Sequence, residues 1–396
     1  MIFNTRRELF KLGYKRLVAE IDLDALDFNI KSIIKKVGQK AKIIGTIKAD
    51  GYGHGAWEVA KVLMANGVDM FSVAMLDEAV NLRNDGLDKP ILILGTTPPE
   101  YYSDIVKYDI TQQVSSLSQA EGLNKTAENL GKKVSVHIAL DTGMGRIGFA
   151  PCEKSIDDII KISSMKNLEI TGLFTHFSTS DEKDKTYTLE QKKKYMWTVT
   201  HLEEKGVHIP FKHIANSAAI MDFNDLMFDA VRPGIILYGL YPSKDVIKKN
   251  LPLKPVMSLK ARINYIKTVD KDTSISYGRT YRTEGKKTIA TIPAGYADGY
   301  SRLLSNKGHI LISGKRAPII GRICMDQFMA DISGIEADEW DEAVLMGRQG
   351  NEEITADEIA DAIGTINYEV VCMINKRVPR VYIKGGKVVK VINLLV

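Results

Sequence analysis

Between Ala41 and Arg232, short apolar segments alternate with segments that repeat apolar residues at three- and four-residue spacing. Short apolar or β-branched runs bounded by turn residues predict strands, whereas the longer period predicts amphipathic helices. The predicted strands of this region are 42–47 (KIIGTI), 70–74 (MFSVA), 91–95 (ILILG), 111–114 (TQQV), 134–140 (VSVHIAL), 168–175 (LEITGLFT), 211–215 (FKHIA) and 228–232 (FDAVR).

The segments between these strands begin and end as helices do. "AWEVAKVLMANG" closes on Gly67, and "DEAVNLRNDG" opens with acidic residues and closes on Gly86. Acidic first turns and a glycine just after the last turn are favoured at helix ends. Eight strand–helix units predict an α/β fold in which parallel strands close into a (β/α)8 TIM-type barrel. A doubly wound open sheet is the alternative.

The pattern changes near residue 250. After "LPLKPVM", β-branched segments separated by glycines and turn residues dominate, with one clear helix at 355–364. We therefore expect a barrel domain over 12–250 and a C-terminal, mostly-β domain over 251–396. "KRLVAEIDL" at 15–23 also predicts a strand, so residues 1–22 could pack with the second domain instead of the barrel.

Composition and charge narrow the functional classes. The apolar fraction of 44% and the charged fraction of 26% are typical of soluble globular proteins. A net charge of +5 with interspersed signs suits small anionic ligands, but it lacks the concentrated basic face that nucleic acid requires. No run of 18 apolar residues and no signal-peptide core are found, so we expect a cytoplasmic protein without a membrane span. The spacing of the three cysteines indicates neither a disulfide framework nor a metal site.

Reactive side chains in a (β/α)8 barrel lie on the loops after the carboxyl ends of the strands. Lys48 follows the first predicted strand, Arg146 the fifth and His176 the sixth. Ser217 follows the seventh strand, and Arg232 with Gly234 the eighth, where this barrel commonly binds phosphate. The pattern therefore predicts that polar groups from distant parts of the chain meet at one mouth of the barrel.

Taken singly, these residues have ordinary explanations. Lys48 could be a solvated charge at a strand end, His176 a half-buried histidine, and Ser217 the N-cap of a helix. The glycines at 143, 145 and 148 form a GxGxxG pattern, but this pattern does not follow the first strand of a dinucleotide-binding fold, so NAD binding is not expected. Taken together, a lysine and a phosphate site favour Schiff-base chemistry with pyridoxal 5′-phosphate (PLP). A lysine aldolase without a cofactor is the alternative.

From about residue 16 to the C-terminus, the sequence closely resembles the alanine racemase family of PLP enzymes. The motifs that carry the resemblance occur in order along the chain: "IKADGYGHG", "DTGMGRIGF", "GLFTHFSTSDE", "HIANSAA", "RPGIILYG", "SYGRTY", "GYADGYSR", "GRICMDQFMADIS" and "NYEVVCMINKRVPRVY". The resemblance implies an N-terminal barrel, a C-terminal β-domain and a homodimer with shared active sites. It also implies an enzyme that racemises a small amino acid. The simplest substrate is alanine, whose D-enantiomer would be supplied to the cell wall.

The resemblance implies cofactor-binding roles for specific residues. Lys48 corresponds to the lysine that binds PLP and acts as one base. His176 corresponds to the residue packed against the pyridine ring, and Arg232 to the arginine that faces its nitrogen. The residues that correspond to the phosphate-binding positions are Tyr52, Ser217, Gly234, Ile235 and Tyr368.

Substrate-binding and catalytic roles follow in the same way. Tyr277 corresponds to the second base, and Met325 to a substrate-binding position; in the family both come from the partner subunit. Arg146 corresponds to the residue near the substrate carboxylate, and Tyr296, with Tyr368, to the tyrosines that restrict the substrate pocket. Removing a proton from one face of Cα and returning one to the other needs two bases, which Lys48 and Tyr277 would supply.

One residue departs from the family pattern. Many members carry a carbamylated lysine seven residues before the arginine that Arg146 matches, whereas this chain has Ala139 there. We therefore expect Arg146 to be oriented by something else, such as a bound anion or a water cluster. The departure leaves open a racemase of serine, lysine or broad specificity on the same scaffold. A related PLP amino acid decarboxylase is a second alternative, because that class has a similar domain plan and Cys324 lies near where its cysteine donor would be sought. A catalytically silent PLP-binding protein is a third, against which the second domain and Tyr277 argue.

Overall fold

The computed structural model describes residues 16–395. Within this range the chain forms two compact units, one of residues 27–51 and 56–253 and the other of residues 16–26, 52–55 and 254–395. The expected barrel start at residue 12, the part of the 1–22 assignment that covers residues 1–15, and Val396 lie outside the described residues.

Eight parallel strands of the first unit pair in chain order and close into a barrel, with the last strand against the first. The predicted (β/α)8 barrel is confirmed. The strands are β2 (Lys42–Thr46), β3 (Met70–Val73), β4 (Ile91–Ile93), β5 (Thr111–Val114), β6 (Val134–Leu140), β7 (Leu168–Thr175), β8 (Phe211–Ala215) and β9 (Ala230–Val231).

The last strand of the barrel is shorter than predicted. It covers two residues, Ala230–Val231, instead of the expected 228–232. Phe228 has a φ of 45°, which interrupts extended backbone before the strand, and Pro233 follows Arg232 on the other side. The prediction of a strand here was correct, but its length was wrong, because an apolar run does not reveal a left-handed residue.

Helices connect the strands and bury one face each. In the helix Glu153–Ser163 (α6), Ile156, Ile159 and Ile162 repeat at three-residue spacing and are completely buried. Among the helices of residues 16–395, none has the length and apolar character of a membrane span. The helices up to residue 253 are α1 (Leu23–Val37), α2 (Ala56–Ala65), α3 (Leu76–Asn84), α4 (Tyr102–Lys107), α5 (Leu117–Asn129), α6 (Glu153–Ser163), α7 (Thr186–Glu204) and α8 (Ser217–Asp222).

The second unit is mostly β, as the sequence predicted, and it is built on a large, mostly antiparallel sheet. β1 (Leu17–Asp22) pairs with β10 (Met257–Arg262) on one side and with β20 (Arg380–Lys384) on the other. The remaining strands are β11 (Tyr265–Val269), β12 (Ser274–Ile275), β13 (Tyr281–Arg282), β14 (Lys287–Ile292), β15 (His309–Ile312), β16 (Lys315–Ile320), β17 (Phe328–Asp331), β18 (Glu342–Gln349), β19 (Glu352–Ile354) and β21 (Lys387–Ile392).

Two helices accompany this sheet. The predicted one is present as α9 (Ala356–Ile363), which is capped by the Thr355 hydroxyl and ends at Gly364. A second, α10 (Asn367–Cys372), follows directly in the motif "NYEVVC" and was not predicted. Its six residues are too few to show a helical period in the sequence.

A buried carboxylate ties distant segments of the second unit together. Asp298 is 1% exposed and forms an ion pair with Arg16, which lies 282 positions away. It also accepts a hydrogen bond of 3.0 Å from the Gly295 N–H and lies 3.3 Å from the Arg377 guanidinium. These partners compensate the cost of burying its charge.

The interior of the barrel contains histidines as well as apolar residues. His213 is fully buried and stacks on Phe174, with ring centroids 5.0 Å apart, and His137 is 2% exposed. Burial, reinforced by the charge of Arg232, lowers the pKa of His137 to about 3 and holds the pKa values of His176 and His213 well below their usual range. All three imidazoles are therefore neutral at neutral pH.

These histidines should make the stability of the protein fall in acid. In the unfolded chain a histidine binds a proton below about pH 6.5, whereas His137 in the folded protein does so only near pH 3. The contribution of the neutral His137 to the free energy of unfolding is thus fully present above pH 6.5. It is lost as the pH falls from 6.5 towards 3, at about 1.4 kcal/mol per pH unit for one histidine.

We therefore expect the His137→Phe variant to lose stability less steeply than the parent between pH 6 and pH 4, by about 1.4 kcal/mol per pH unit. Urea unfolding at a series of pH values measures this slope. The matched control is His208→Phe, since the His208 side chain is 78% exposed. Equal slopes for the parent and His137→Phe would contradict the prediction.

Candidate active site

Lys48 lies directly after the first barrel strand, at the start of a left-handed turn. Ala49, Asp50 and Gly51 have φ values of 52°, 52° and 61°, and the Gly51 N–H donates to the Ile47 carbonyl at 2.8 Å. A left-handed conformation costs roughly 1–2 kcal/mol for each residue other than glycine. Such strain is typical of functional sites, where the surrounding structure enforces it.

Carboxylates hold this strained turn in place. Glu78 accepts a hydrogen bond from the Ala49 N–H at 2.5 Å and another from the Ala74 N–H at 2.7 Å, and so links the turn to the end of β3. Asp50 accepts from the Ala56 N–H at 2.9 Å, at the start of α2. Charge-assisted bonds of this kind are stronger than neutral ones, and they offset part of the strain next to Lys48.

Arg232 is the central cation of the barrel mouth. Its side chain is buried, and its guanidinium donates to the carbonyls of His213 at 2.8 Å and Thr175 at 2.7 Å. It also donates to Nδ1 of His213 at 2.7 Å and lies 3.4 Å from Nδ1 of His176. Burial, with Arg146 nearby, lowers the pKa of Arg232 to about 10, so it remains charged at neutral pH.

The charges of three cations act on His176. Besides burial, the charges of Arg232, Arg146 and Lys48 lower the pKa of this imidazole. These residues follow strands that are far apart in the sequence, and the charges of all three cations influence the same imidazole. This agrees with the prediction that they lie at one end of the barrel. A concentration of positive charge around a lysine suits an anionic ligand that carries an aldehyde.

The loops after β8 and β9 lie where the sequence predicts an anion site. The Gly234 N–H donates to the Ser217 hydroxyl at 2.9 Å, and Ile235 begins a 3-10 turn, Ile235–Tyr238. The first N–H groups of such a turn have no acceptor within it and are available to a phosphate. The reading of Ser217 as the N-cap was wrong: Asn216 caps this helix by accepting from the Ala219 N–H at 3.0 Å.

Tyr52 and Tyr368 lie together in the second unit. Their ring centroids are 6.2 Å apart, and Tyr52 is 7% exposed with a φ of 53°. The segment 52–55 is held by side chains of β20, since Arg380 donates to the Gly53 carbonyl at 3.0 Å. At Gly55, a Cβ atom would lie 1.9 Å from the Tyr382 hydroxyl, so the close approach requires glycine.

Tyr277, Tyr296 and Met325 form a second group in this unit, and their side chains are 70%, 43% and 52% exposed. The Tyr296 N–H donates to the carbonyl of Cys324, the residue before Met325, at 3.2 Å. Ser276, next to Tyr277, has a φ of 63° and lies 3.6 Å from the Cys324 thiol. Left-handed backbone next to Tyr277 is a kind of strain that is often found at functional sites.

Arg146 belongs to a loop whose backbone is well fixed. Asp141 accepts hydrogen bonds of 3.0 Å from the N–H groups of Gly143 and Gly145. The guanidinium itself is exposed, and it has no hydrogen bond or ion pair with any of residues 16–395. Ala139, buried in β6, offers only a methyl group at the position that departs from the family pattern, and within residues 16–395 no side chain orients Arg146.

Several residues that shape the site were not predicted. Glu78 was missed because a lone acidic residue in a first helical turn is usually explained by the helix dipole. His213 and His137 were missed because a histidine within an apolar strand resembles an ordinary core residue. The sequence "FKHIANSAA" contained a signal, since a polar residue inside a buried strand requires a partner.

The barrel mouth fits PLP chemically. A lysine can link to the aldehyde, the Ser217 hydroxyl and the first backbone N–H groups of the turn at Ile235 would suit the phosphate, and the buried Arg232 would place a positive charge near the ring. Among residues 16–395 no carboxylate pairs with the Arg232 guanidinium, so this cation can serve a bound group.

Comparison with known proteins identifies the family. Residues 21–242 match the alanine racemase N-terminal domain, and residues 256–382 match the alanine racemase C-terminal domain. "Alanine racemase 1" of Clostridium acetobutylicum is 51% identical over 376 residues, which cover 95% of this chain and 97% of that protein. Alanine racemase of Clostridium kluyveri is 50% identical over 97% of this chain and 98% of its own length.

Solved structures agree with these matches. Alanine racemase of Clostridium difficile 630 superposes with a TM-score of 0.93 at 47% identity and covers 96% of this chain and 99% of its own. Alanine racemase of Bacillus anthracis with bound L-Ala-P superposes with a TM-score of 0.92 at 39% identity, over 96% and 98% of the two chains. With its barrel, its β-domain and its sequence all in agreement, this chain belongs to the PLP-dependent alanine racemase family.

Proposed function

We propose that this protein interconverts L- and D-alanine by moving the Cα proton between two bases, Lys48 and Tyr277. The observation that carries the proposal is the barrel mouth, where Lys48 follows β2 on a strained turn and shares its surroundings with Arg146, His176 and Arg232. Bound PLP supplies the electron sink that makes the Cα proton acidic. The chain supplies the bases, the orientation and the charges.

The residues that would hold PLP form three sets. Lys48 would bind it covalently, and His176 and Arg232 would meet its ring. Tyr52, Tyr368 and the Ser217 hydroxyl, with the backbone at Gly234 and Ile235, would bind its phosphate. Because Arg232 keeps its charge at neutral pH, it would disfavour protonation of a ring nitrogen placed against it. This should limit proton delivery to the cofactor and favour racemisation over transamination.

Substrate positioning would rest on Arg146, Met325 and Tyr296. An exposed guanidinium without a partner in the described chain is suited to a substrate carboxylate. Tyr296, with Tyr368, would limit the side chain that the pocket accepts. Ala139 favours a second candidate, a racemase of serine, lysine or broad range, since Arg146 is not held by a neighbouring lysine carbamate.

We further propose a homodimer in which each active site takes Lys48 from one subunit and Tyr277 and Met325 from the other. The exposure of Tyr277, Tyr296 and Met325 in the single chain supports this assembly, because large apolar groups clustered on a surface favour a partner. We also propose that the barrel domain ends and the β-rich domain begins near residue 250. The protein would act in the cytoplasm, and its D-alanine would be used for peptidoglycan.

Incubation of the PLP-loaded protein with each L-amino acid in deuterated water tests the function directly. We expect alanine to be racemised fastest, and deuterium to appear at Cα of the D-enantiomer, because the returning proton comes from a base in exchange with solvent. Chiral chromatography with mass detection measures both. Faster conversion of serine or lysine would favour the second candidate, and release of carbon dioxide would indicate a decarboxylase.

Lys48 should be the lysine that carries the cofactor. Borohydride reduction fixes a lysine–PLP link, so peptide mass mapping of the reduced parent should find the label on Lys48 alone. Lys48→Arg should lose the label and at least about 10³-fold in kcat, since a covalent carrier and a base are both removed. The control variant Lys61→Arg changes another cation of the same unit and should keep both the label on Lys48 and the parental kcat. A label on any other lysine of the parent would refute the assignment.

Shared active sites can be tested by mixing inactive subunits. When Lys48→Arg and Tyr277→Phe chains are coexpressed, mixed dimers should each contain one intact site, and about a quarter of the parental activity should return. Turnover of the whole coexpressed population, normalised to total sites, measures this recovery, and mixed dimers isolated by two different tags should recover about half. Coexpression of Lys48→Arg with Lys48→Ala provides the control without recovery. Failure of the first pair to recover activity would rule out a site shared between Lys48 and Tyr277 of different chains.

A further inference from the structure

Two neighbouring loops of the barrel carry residues of the proposed active site. The arginine loop, residues 141–149, follows β6 and contains Arg146, and the histidine loop, residues 176–180, follows β7 and begins with His176. Because β6 and β7 are parallel partners, both loops leave the same end of the barrel. No side chain among residues 16–395 holds the Arg146 guanidinium itself, so its place depends on where the backbone of its loop is held.

The arginine loop is closed at its base by backbone hydrogen bonds. The Asp141 N–H donates to the Phe149 carbonyl at 2.9 Å, and the Phe149 N–H donates to the Ala139 carbonyl at 2.8 Å. At Gly148 a Cβ atom would lie 2.5 Å from the Asp141 nitrogen, so this close approach requires glycine. The base of the loop is therefore fixed, and its outer part, with Arg146, is held by other contacts.

Tyr187, in the first turn of α7, holds the outer part of the arginine loop. Its hydroxyl donates to the Gly143 carbonyl at 2.9 Å. A Cβ atom at Gly143 would lie 2.4 Å from this hydroxyl, so a larger residue there would push the tyrosine away. The Gly143 N–H donates to Asp141 at 3.0 Å. The backbone three positions before Arg146 is thus held through both of its polar groups.

Gln191, one turn further along α7 and on the same face as Tyr187, bonds to both loops. Its side chain is completely buried, and its amide oxygen accepts from the Ser178 N–H of the histidine loop at 3.0 Å. Its amide nitrogen donates to the His176 carbonyl at 3.1 Å and to the Thr142 hydroxyl of the arginine loop at 3.3 Å. Because a backbone N–H only donates and a carbonyl only accepts, these partners fix which end of the amide faces each group.

Buried hydroxyl groups extend this connection to the strand ends. The Thr175 hydroxyl donates its single proton to the Leu140 carbonyl at 2.9 Å. The Thr142 hydroxyl, 2.8 Å from the Thr175 oxygen, must then donate to that oxygen and accept from Gln191. Each hydroxyl proton in this buried chain therefore has an acceptor, and a fully satisfied polar network makes the local structure rigid.

We propose that Gln191 and Tyr187 are positioning residues for Arg146. They act through the backbone of the arginine loop, and Gln191 also fixes this loop relative to the backbone of His176. They take the part of the orienting side chain that Ala139 does not supply. The inference rests on the proposed function, in which Arg146 meets the substrate carboxylate and His176 meets the cofactor ring. A displacement of about 1 Å in an active site can cost about 100-fold in rate, so the position of this loop matters for catalysis.

Kinetics of alanine racemisation by the PLP-loaded protein test this role. Tyr187→Phe removes one hydroxyl and should raise KM about threefold with little change in kcat, because one neutral hydrogen bond to the loop of a substrate-binding residue is lost. Gln191→Met removes four hydrogen bonds at similar volume and should lower kcat/KM by at least about tenfold.

A matched control is available on another helix of the barrel. Gln119 of α5 is also buried, and it accepts from the Ser115 N–H at 3.0 Å, but it holds a loop without a proposed site residue. Gln119→Met should therefore keep the parental kcat/KM. An equal loss of kcat/KM in Gln119→Met and Gln191→Met would show a general effect on the fold and would overturn the proposal.

A double-mutant cycle shows whether Tyr187 acts through Arg146. In an Arg146→Ala background, Tyr187→Phe should raise KM no further, because the group that it positions is already absent. A further threefold rise, equal to that in the parent, would contradict the proposal.

Amide hydrogen exchange measures the position of the loop independently of turnover. In the PLP-loaded protein, the peptide of residues 141–149 should exchange about threefold faster in Tyr187→Phe and about tenfold faster in Gln191→Met than in the parent, and at the parental rate in Gln119→Met. Parental exchange in both α7 variants would overturn the proposal. The result remains decisive even if the protein racemises no amino acid, because exchange reports on the arginine loop and not on catalysis.

Discussion

The buried guanidinium of Arg232 is the charge around which the polar groups inside the barrel are arranged as hydrogen-bond acceptors. Burying a cation without a carboxylate partner is unfavourable unless other groups satisfy its donors, and here the carbonyls of Thr175 and His213 and one ring nitrogen do so. Because a guanidinium only donates, it determines which nitrogen of His213, and then of His137, carries a proton. Burial, reinforced by repulsion from this cation, lowers the pKa of His176 and keeps the ring neutral. Burial and one cation together thus set the protonation states of three imidazoles.

The backbone around Lys48 shows a second constraint, in which the rest of the fold maintains local strain. Left-handed residues after β2 would relax in an isolated peptide, yet Glu78 binds both this turn and the end of β3. The lysine is therefore presented by a turn whose shape is determined by its neighbours. Pre-organisation of this kind lowers the entropy that a reacting group would otherwise lose.

The two units differ in the groups that they carry. The barrel has cations and backbone donors at one end, whereas the β-rich unit has tyrosines, of which Tyr52 and Tyr368 are packed together and Tyr277 and Tyr296 are exposed. Ser276, directly before Tyr277, has a left-handed backbone. The proposed homodimer would use the exposed Tyr277 as the second of the two bases that racemisation needs.

The sequence by itself determined the architecture and most of the candidate site. Strand bounds such as 134–140 and 168–175 were predicted exactly as observed, because apolar runs between helical periods are a local signal. The motifs placed Lys48, His176 and Arg232 after the carboxyl ends of strands for the same reason. Only the tertiary structure decided that Asn216 rather than Ser217 caps α8, that Glu78 holds the lysine turn, and that His137 is bonded to His213. These features depend on contacts between residues far apart in the chain, and neither residue type nor spacing records such contacts.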